Sequence, residues 1–162
     1  MQQIPTGTSK EDVMAQLTDK TTLFVNEIKN SKLTMNVEQQ RIYNAFVFRR
    51  VKPYKFSVID GYGNTIRFTL YTNKRDDGVI HILTKHYRGK IGCVTAIEIL
   101  NLCDVIRKGE ISINSGCISY KLVKTKTTYI LTVGLKRTKS GENILKSFYS
   151  NKKTSRTAGS RA

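Results

Sequence analysis

The chain has 162 residues, 39% hydrophobic and 25% charged, enough apolar material for one ordinary domain with a packed core and too much for a disordered chain. Its 28 Lys and Arg against 12 Asp and Glu leave a net charge of +16, an excess that repels itself in a compact state unless a polyanion answers it. With no apolar run near the roughly 20 residues of a membrane span, and no basic or apolar region in Met1-Gln2-Gln3-Ile4-Pro5 to make a secretory signal, we expect neither a membrane span nor a leader.

In chain order, residues 1–8 read as a lead-in, and Ser9 with Asp12 can start a helix. Val13, Leu17, Phe24 and Ile28 recur at loose helical spacing, predicting one or two helices over about 9–30. A second is predicted from about Asn36 to Ala45, with Gln39 three residues after the cap. From Phe46 the residues turn β-forming: Val47, Val51, Phe56, Val58 and Ile59. Asp60-Gly61-Tyr62-Gly63-Asn64 is a turn signal, and Ile66, Phe68 and Leu70 alternate with Arg67 and Thr69, which completes a hairpin. Residues 78–89, apolar then basic, predict a short helix. Thr95 and Glu98 form a capping box for a helix over 95–108, with Ile99, Leu102, Cys103 and Ile106 as its apolar stripe and Gly109 as its terminator. Three strands follow, at 117–124, 127–137 and 143–150, and then a polar, basic tail. Helices segregated from an antiparallel sheet make an α+β fold. We divide it into a helical N-terminal segment (1–45), a main domain (46–150) and a tail (151–162).

The charge is graded along this order. Residues 1–40 carry a net −1, residues 41–110 a net +7 and residues 111–162 a net +10, so the polyanion should meet the C-terminal two-thirds. Cys93, Cys103 and Cys117 are odd in number and widely spaced; they fit neither a disulfide framework nor a zinc knuckle and read as small buried hydrophobes. The chain holds no phosphate loop, no paired-carboxylate site and no metal-ligand cluster, and acids are scarce after residue 110. No cofactor is expected.

Metal-independent RNA cleavage needs a base for the 2′-OH, an acid for the departing 5′-oxygen, and donors that hold the phosphorane. Imidazole suits the first two tasks. The two histidines, His81 and His86, stand five residues apart in one basic segment. On a continuous α-helix they would diverge by about 140° and could not share a site unless the helix ends between them. His81 with Lys85, or His86 with Arg88 and Lys90, are the groupings a helix would offer; equally, His81 between Ile80 and Ile82 reads as a core histidine. In the last strand, alternation puts Ile144, Lys146 and Phe148 on one face and Leu145, Ser147 and Tyr149 on the other. Ser147 could hold a phosphate and Tyr149 could stack on a base. Lys121, Lys124, Lys126, Lys136, Arg137, Lys139 and Lys146 are candidate nucleic-acid contacts, with ordinary solvated charge as the alternative.

The order of pieces resembles the ribonuclease toxin domains of the barnase–EndoU–colicin–RelE superfamily, carried at the C-termini of contact-dependent inhibition, phage-borne and other polymorphic toxin systems. The phrases that carry it are Gly78-Val-Ile-His81-Ile-Leu-Thr-Lys85-His86, Val94-Thr95-Ala-Ile-Glu98-Ile99-Leu100, Val105-Ile106-Arg107-Lys108-Gly109-Glu110, Tyr120-Lys121-Leu122, the strand 129–135, and Leu145-Lys146-Ser147-Phe148-Tyr149-Ser150. The resemblance covers about 78–153 and implies a barnase- or EndoU-like fold: helices, hairpin, two helices and a twisted antiparallel meander. It also implies a metal-independent RNase, often a tRNase, with His81 or His86 as base or acid, Lys85 and Arg88 on the phosphorane, and Ser147 and Tyr149 on the phosphate. The carboxylate base of some members has no counterpart, which favours His with Lys or Arg. Residues 1–45 would then be a delivery, linker or accessory segment. The expected partners are RNA and an acidic immunity protein, the protein otherwise a monomer, and the site of action the cytoplasm of a bacterial target cell. The alternatives are a non-catalytic RNA- or DNA-binding module that stacks bases on Tyr120, Tyr129 and Tyr149, and a basic structural protein.

Overall fold

A computed structural model describes residues 10–49, 54–70, 78–90, 92–114, 116–134 and 143–152. The lead-in with Ser9, Val51, residues 135–137 of the strand expected over 127–137, the candidate contacts Lys136, Arg137 and Lys139, and the tail beyond Lys152 lie outside the described residues.

Two helices come first, α1 (Lys10–Ser31) and α2 (Val37–Phe48). Asn36 and Gln39 cap α2 reciprocally, as their spacing predicts. Phe46 and Val47 stay helical rather than opening a strand, because Phe46 is fully buried and stacks on Phe24 of α1, 5.5 Å between centroids. That packing overrides their β propensity. Leu17, Phe24 and Ile28 of α1 and Ile42, Ala45 and Phe46 of α2 belong to the same core as the sheet. Arg107 pairs with Glu38, and Gln39 Nε2 donates to Asn101 Oδ1 (2.9 Å). Packing therefore runs unbroken across residue 45.

The chain then forms β1 (Tyr54–Ile59), β2 (Thr65–Leu70), α3 (Gly78–His81), a π turn (Ile82–His86), α4 (Ala96–Leu100), α5 (Cys103–Lys108), β3 (Glu110–Asn114), β4 (Cys117–Lys124), β5 (Thr127–Gly134) and β6 (Asn143–Ser150). The result is α+β, with one six-stranded sheet in the order β1-β2-β6-β5-β4-β3. Among the described strands only β2 and β6 pair in parallel, over two residue pairs. The hairpin tip curls back onto β4: buried Asp60 accepts from the amides of Tyr62 and Asn64, and from the hydroxyl of Tyr120 at 2.7 Å.

The helix predicted over 95–108 is two helices. Thr95 and Glu98 cap α4 as expected, but the Asn101 amide side chain donates to Ile97 O (3.0 Å). The next backbone bonds span three residues, from Asn101, Leu102, Asp104 and Val105 to Glu98, Ile99, Asn101 and Leu102. This local competition tightens the helix and resets its axis. Gly109 ends α5 in an extended conformation, not a left-handed one (φ −84°). A Cβ there would lie 2.4 Å from Val105 O and 3.0 Å from Lys121 O, so close approach of β4 requires the glycine. The strand β3, whose Ile111 and Ile113 alternate with Glu110, Ser112 and Asn114, was not among the expected elements. Cys103 is buried in the core, and burial pushes its thiol pKa up, whereas Cys93 and Cys117 are only half-buried.

Candidate active site

The segment after Gly78 buries Val79, Ile80, Ile82 and Leu83 and leaves His81, Lys85 and His86 partly or fully exposed. It starts as an α-turn and widens: Tyr87 N donates to Ile82 O, five residues back, at 2.7 Å. A π turn takes one residue more than an α turn, so residues five apart come onto one face. The helix therefore does not end between His81 and His86, nor do they diverge. Their Nε2 atoms are 3.2 Å apart and their rings meet edge to face. Side chains of α1 satisfy the carbonyls that the wide turn leaves over: Gln16 donates to Thr84 O and Lys20 to Tyr87 O. Glu27 of α1 accepts from the Tyr87 hydroxyl (2.8 Å) and from Ala96 N (2.9 Å).

The last strand supplies the third group. Thr132 pairs with Ser147 and Val133 with Leu145, so Lys146 has no opposite residue and forms a bulge. This corrects simple alternation. Leu145 joins Phe148 on the buried face, while Lys146 falls beside Ser147, its stem over Gly134. Ser147 Oγ stands 3.5 Å from His81 Nε2 and 3.4 Å from His86 Nε2. Tyr149 stacks on the His86 ring, 5.3 Å between centroids. Gly92 closes the far side in a left-handed conformation (φ +69°), where a Cβ would sit 3.6 Å from His86 Nδ1.

These surroundings set the electrostatics. Burial, then the neighbouring His81, then Lys85 lower the His86 pKa from 6.5 to about 4. Its Nδ1 is buried without a hydrogen-bond partner, so no acceptor on that side offsets the charge of an imidazolium. His86 is consequently neutral at neutral pH. The Nε2···Nε2 contact requires one N–H and one lone pair, so the two rings hold opposite roles at that edge.

The groups gathered are thus His81, His86, Ser147 and Tyr149, with Lys85 close enough to bias His86 and Lys146 on the face of Ser147. Ser112, Ser119, Thr132 and Ser147 are successive cross-strand partners in one row over four strands, flanked by exposed Lys121. Sequence reasoning missed Ser119 and Thr132, which only the pairing register places, and Gly92, which only its close approach to His86 and Ser150 reveals. Arg88 turns toward α1, where its guanidinium is 3.8 Å from Glu27. Lys124 lies on the helix side, over the Tyr129 ring, beside a cleft of about 240 Å³ with Glu98. Lys90 and Lys126 are exposed on connecting loops. Tyr120 and Tyr129 donate to Asp60 and Glu98 on the helix side and are not placed for stacking; Tyr149 alone of the three shares the face of Ser147. Among the described residues no helix is long and apolar enough to cross a membrane, and no group of three or more His, Cys, Asp or Glu could hold a metal. Comparisons with protein-family models, curated proteins and solved structures give no match to this chain.

Proposed function

We propose that this protein is a metal-independent endoribonuclease that cleaves tRNA or another structured RNA by 2′-OH transesterification. The observation that carries the reading is the convergence of two imidazole Nε2 atoms and one hydroxyl within 3.5 Å. His86, neutral at neutral pH, takes the proton of the 2′-OH, and the 2′-oxygen attacks phosphorus. The 5′-oxygen leaves with a proton from His81, and a 2′,3′-cyclic phosphate remains. Ser147 donates to a non-bridging oxygen, while Lys85 and Lys146 face the charge that builds on the phosphorane. An arriving phosphate raises the His86 pKa toward neutrality, where a base is most effective. Tyr149 keeps His86 in place and offers a face to a base.

The toxin role extends this reading. It rests on the resemblance of residues 78–153 and on the +16 charge, which an acidic immunity protein would complement in the bacterial cytoplasm. The deciding experiment incubates the purified protein with total RNA in EDTA and resolves the products on a denaturing gel. Discrete fragments are expected, reduced on the order of 100-fold or more in His81→Ala and in His86→Ala, with RNA binding retained by gel shift. Intact RNA together with a gel shift by the wild-type protein would replace the nuclease by a binding module.

A further inference from the structure

The three site atoms are separated by 3.2, 3.4 and 3.5 Å, so the point equidistant from them lies about 1.9 Å from each. Zinc–nitrogen bonds are about 2.0–2.1 Å long. An ion slightly out of the plane of the three atoms would meet all of them at bonding distance without moving any. We propose that His81, His86 and Ser147 form a binding site for one divalent transition-metal ion, Zn²⁺ or Cu²⁺, with its remaining position open.

Donor chemistry and preorganisation both support this. Imidazole nitrogen selects zinc and copper over hard cations such as Mg²⁺. The π turn aligns the histidines through backbone hydrogen bonding, and Tyr149 stacks on the His86 ring, so little ordering remains when an ion binds. Two features hold the affinity below that of a structural zinc site. A neutral serine hydroxyl is a weak ligand, and His86 Nδ1 has no acceptor to strengthen its ring as a donor. The consequence for catalysis rests on the nuclease reading: an ion on both Nε2 atoms takes the lone pair that the base uses and the place of the proton that the acid gives, so zinc would inhibit cleavage.

The test is isothermal titration of the intact, EDTA-stripped and dialysed protein with zinc chloride, with magnesium chloride as control. One zinc per chain is expected and no saturable heat with magnesium. His81→Ala and His86→Ala should each weaken zinc binding by at least about 10-fold and Ser147→Ala by a few-fold, with each variant's fold checked by its urea midpoint. If a histidine variant fails to fold, NMR of the wild-type protein gives the same answer, because zinc must shift the ring-proton resonances of both histidines together. No saturation below about 1 mM zinc, or binding unchanged in both histidine variants, overturns the site. Cleavage assays separate the two ideas. Zinc inhibition with the midpoint of the titration supports the site, and cleavage untouched at saturating zinc overturns the inhibition. Stripped protein that never cleaves RNA removes the nuclease reading and leaves the titration to stand by itself. Cleavage that returns only with zinc supports the site and overturns the metal-free mechanism.

Discussion

Glu27 on α1 is the sharpest place to ask whether the N-terminal helix is part of the working fold. Its carboxylate accepts from the hydroxyl of Tyr87, a residue with no exposed surface, and from the amide of Ala96 at the start of α4. Glu27→Ala leaves both donors buried and unpaired. The stranded hydroxyl costs about 1–3 kcal/mol and the helix-end amide about 1 kcal/mol. Arg88, 3.8 Å away and 54% exposed, adds at most about 0.5 kcal/mol. The expected loss is therefore about 2–4 kcal/mol, a large share of the 5–15 kcal/mol typical of a domain. Glu27→Gln keeps one acceptor and should lose about half as much. Urea unfolding followed by circular dichroism reads this directly. With a slope of about 2 kcal/mol per molar, the Glu27→Ala midpoint should fall by roughly 1–2 M. A cycle with Tyr87→Phe should give a coupling of about 1–2 kcal/mol. A midpoint shift below about 0.3 M, or simple additivity with Tyr87→Phe, would mean that α1 is an appendage in solution.

Three further outcomes follow from the same geometry. The unfolded His86 imidazole takes up a proton below about pH 6.5, while the folded one resists until about pH 4. Stability should accordingly fall as pH drops through that window, by about 1–2 kcal/mol after allowing for partial exposure; His86→Phe should flatten that part of the profile, and an unchanged profile would refute the assignment. Tyr120→Phe removes the buried hydroxyl bond to Asp60 and should cost about 1–2 kcal/mol, while Asp60→Asn, which faces donors with a donor, should cost about 2–4 kcal/mol; equal losses in urea titrations would argue against a charged acceptor. Gly92→Ala places a Cβ 3.1 Å from Ser150 O in a left-handed backbone. It should destabilise by about 1–2 kcal/mol and shift the His86 ring resonances, and an unmoved spectrum would show that this loop does not support the site.

Local chemistry was legible in the residue order. The capping boxes at Asn36–Gln39 and Thr95–Glu98, the turn at Asp60–Asn64, and the strands 117–124 and 143–150 stand where short-range rules put them, because each depends on hydrogen bonds within a few residues or on a pleat of period two. The segregation of helices from an antiparallel sheet, and so the α+β class, follows from the same patterns. The choice of His81, His86, Ser147 and Tyr149 also came from residue chemistry alone, without their geometry.

Tertiary structure decided that geometry. An α-helix would have turned His81 and His86 apart, and the π turn that joins them depends on partners supplied by Gln16 and Lys20, more than 60 residues away in the chain. The bulge at Lys146 depends on the register against β5, and alternation within β6 does not reveal it. Arg88 and Lys124 leave the site for the same kind of reason, drawn to Glu27 and Tyr129 on other elements. Residue order determined which polar and titratable groups this protein has and the elements that carry them. Their convergence was left to long-range packing, because a few ångströms between side chains are set by contacts that local rules do not contain.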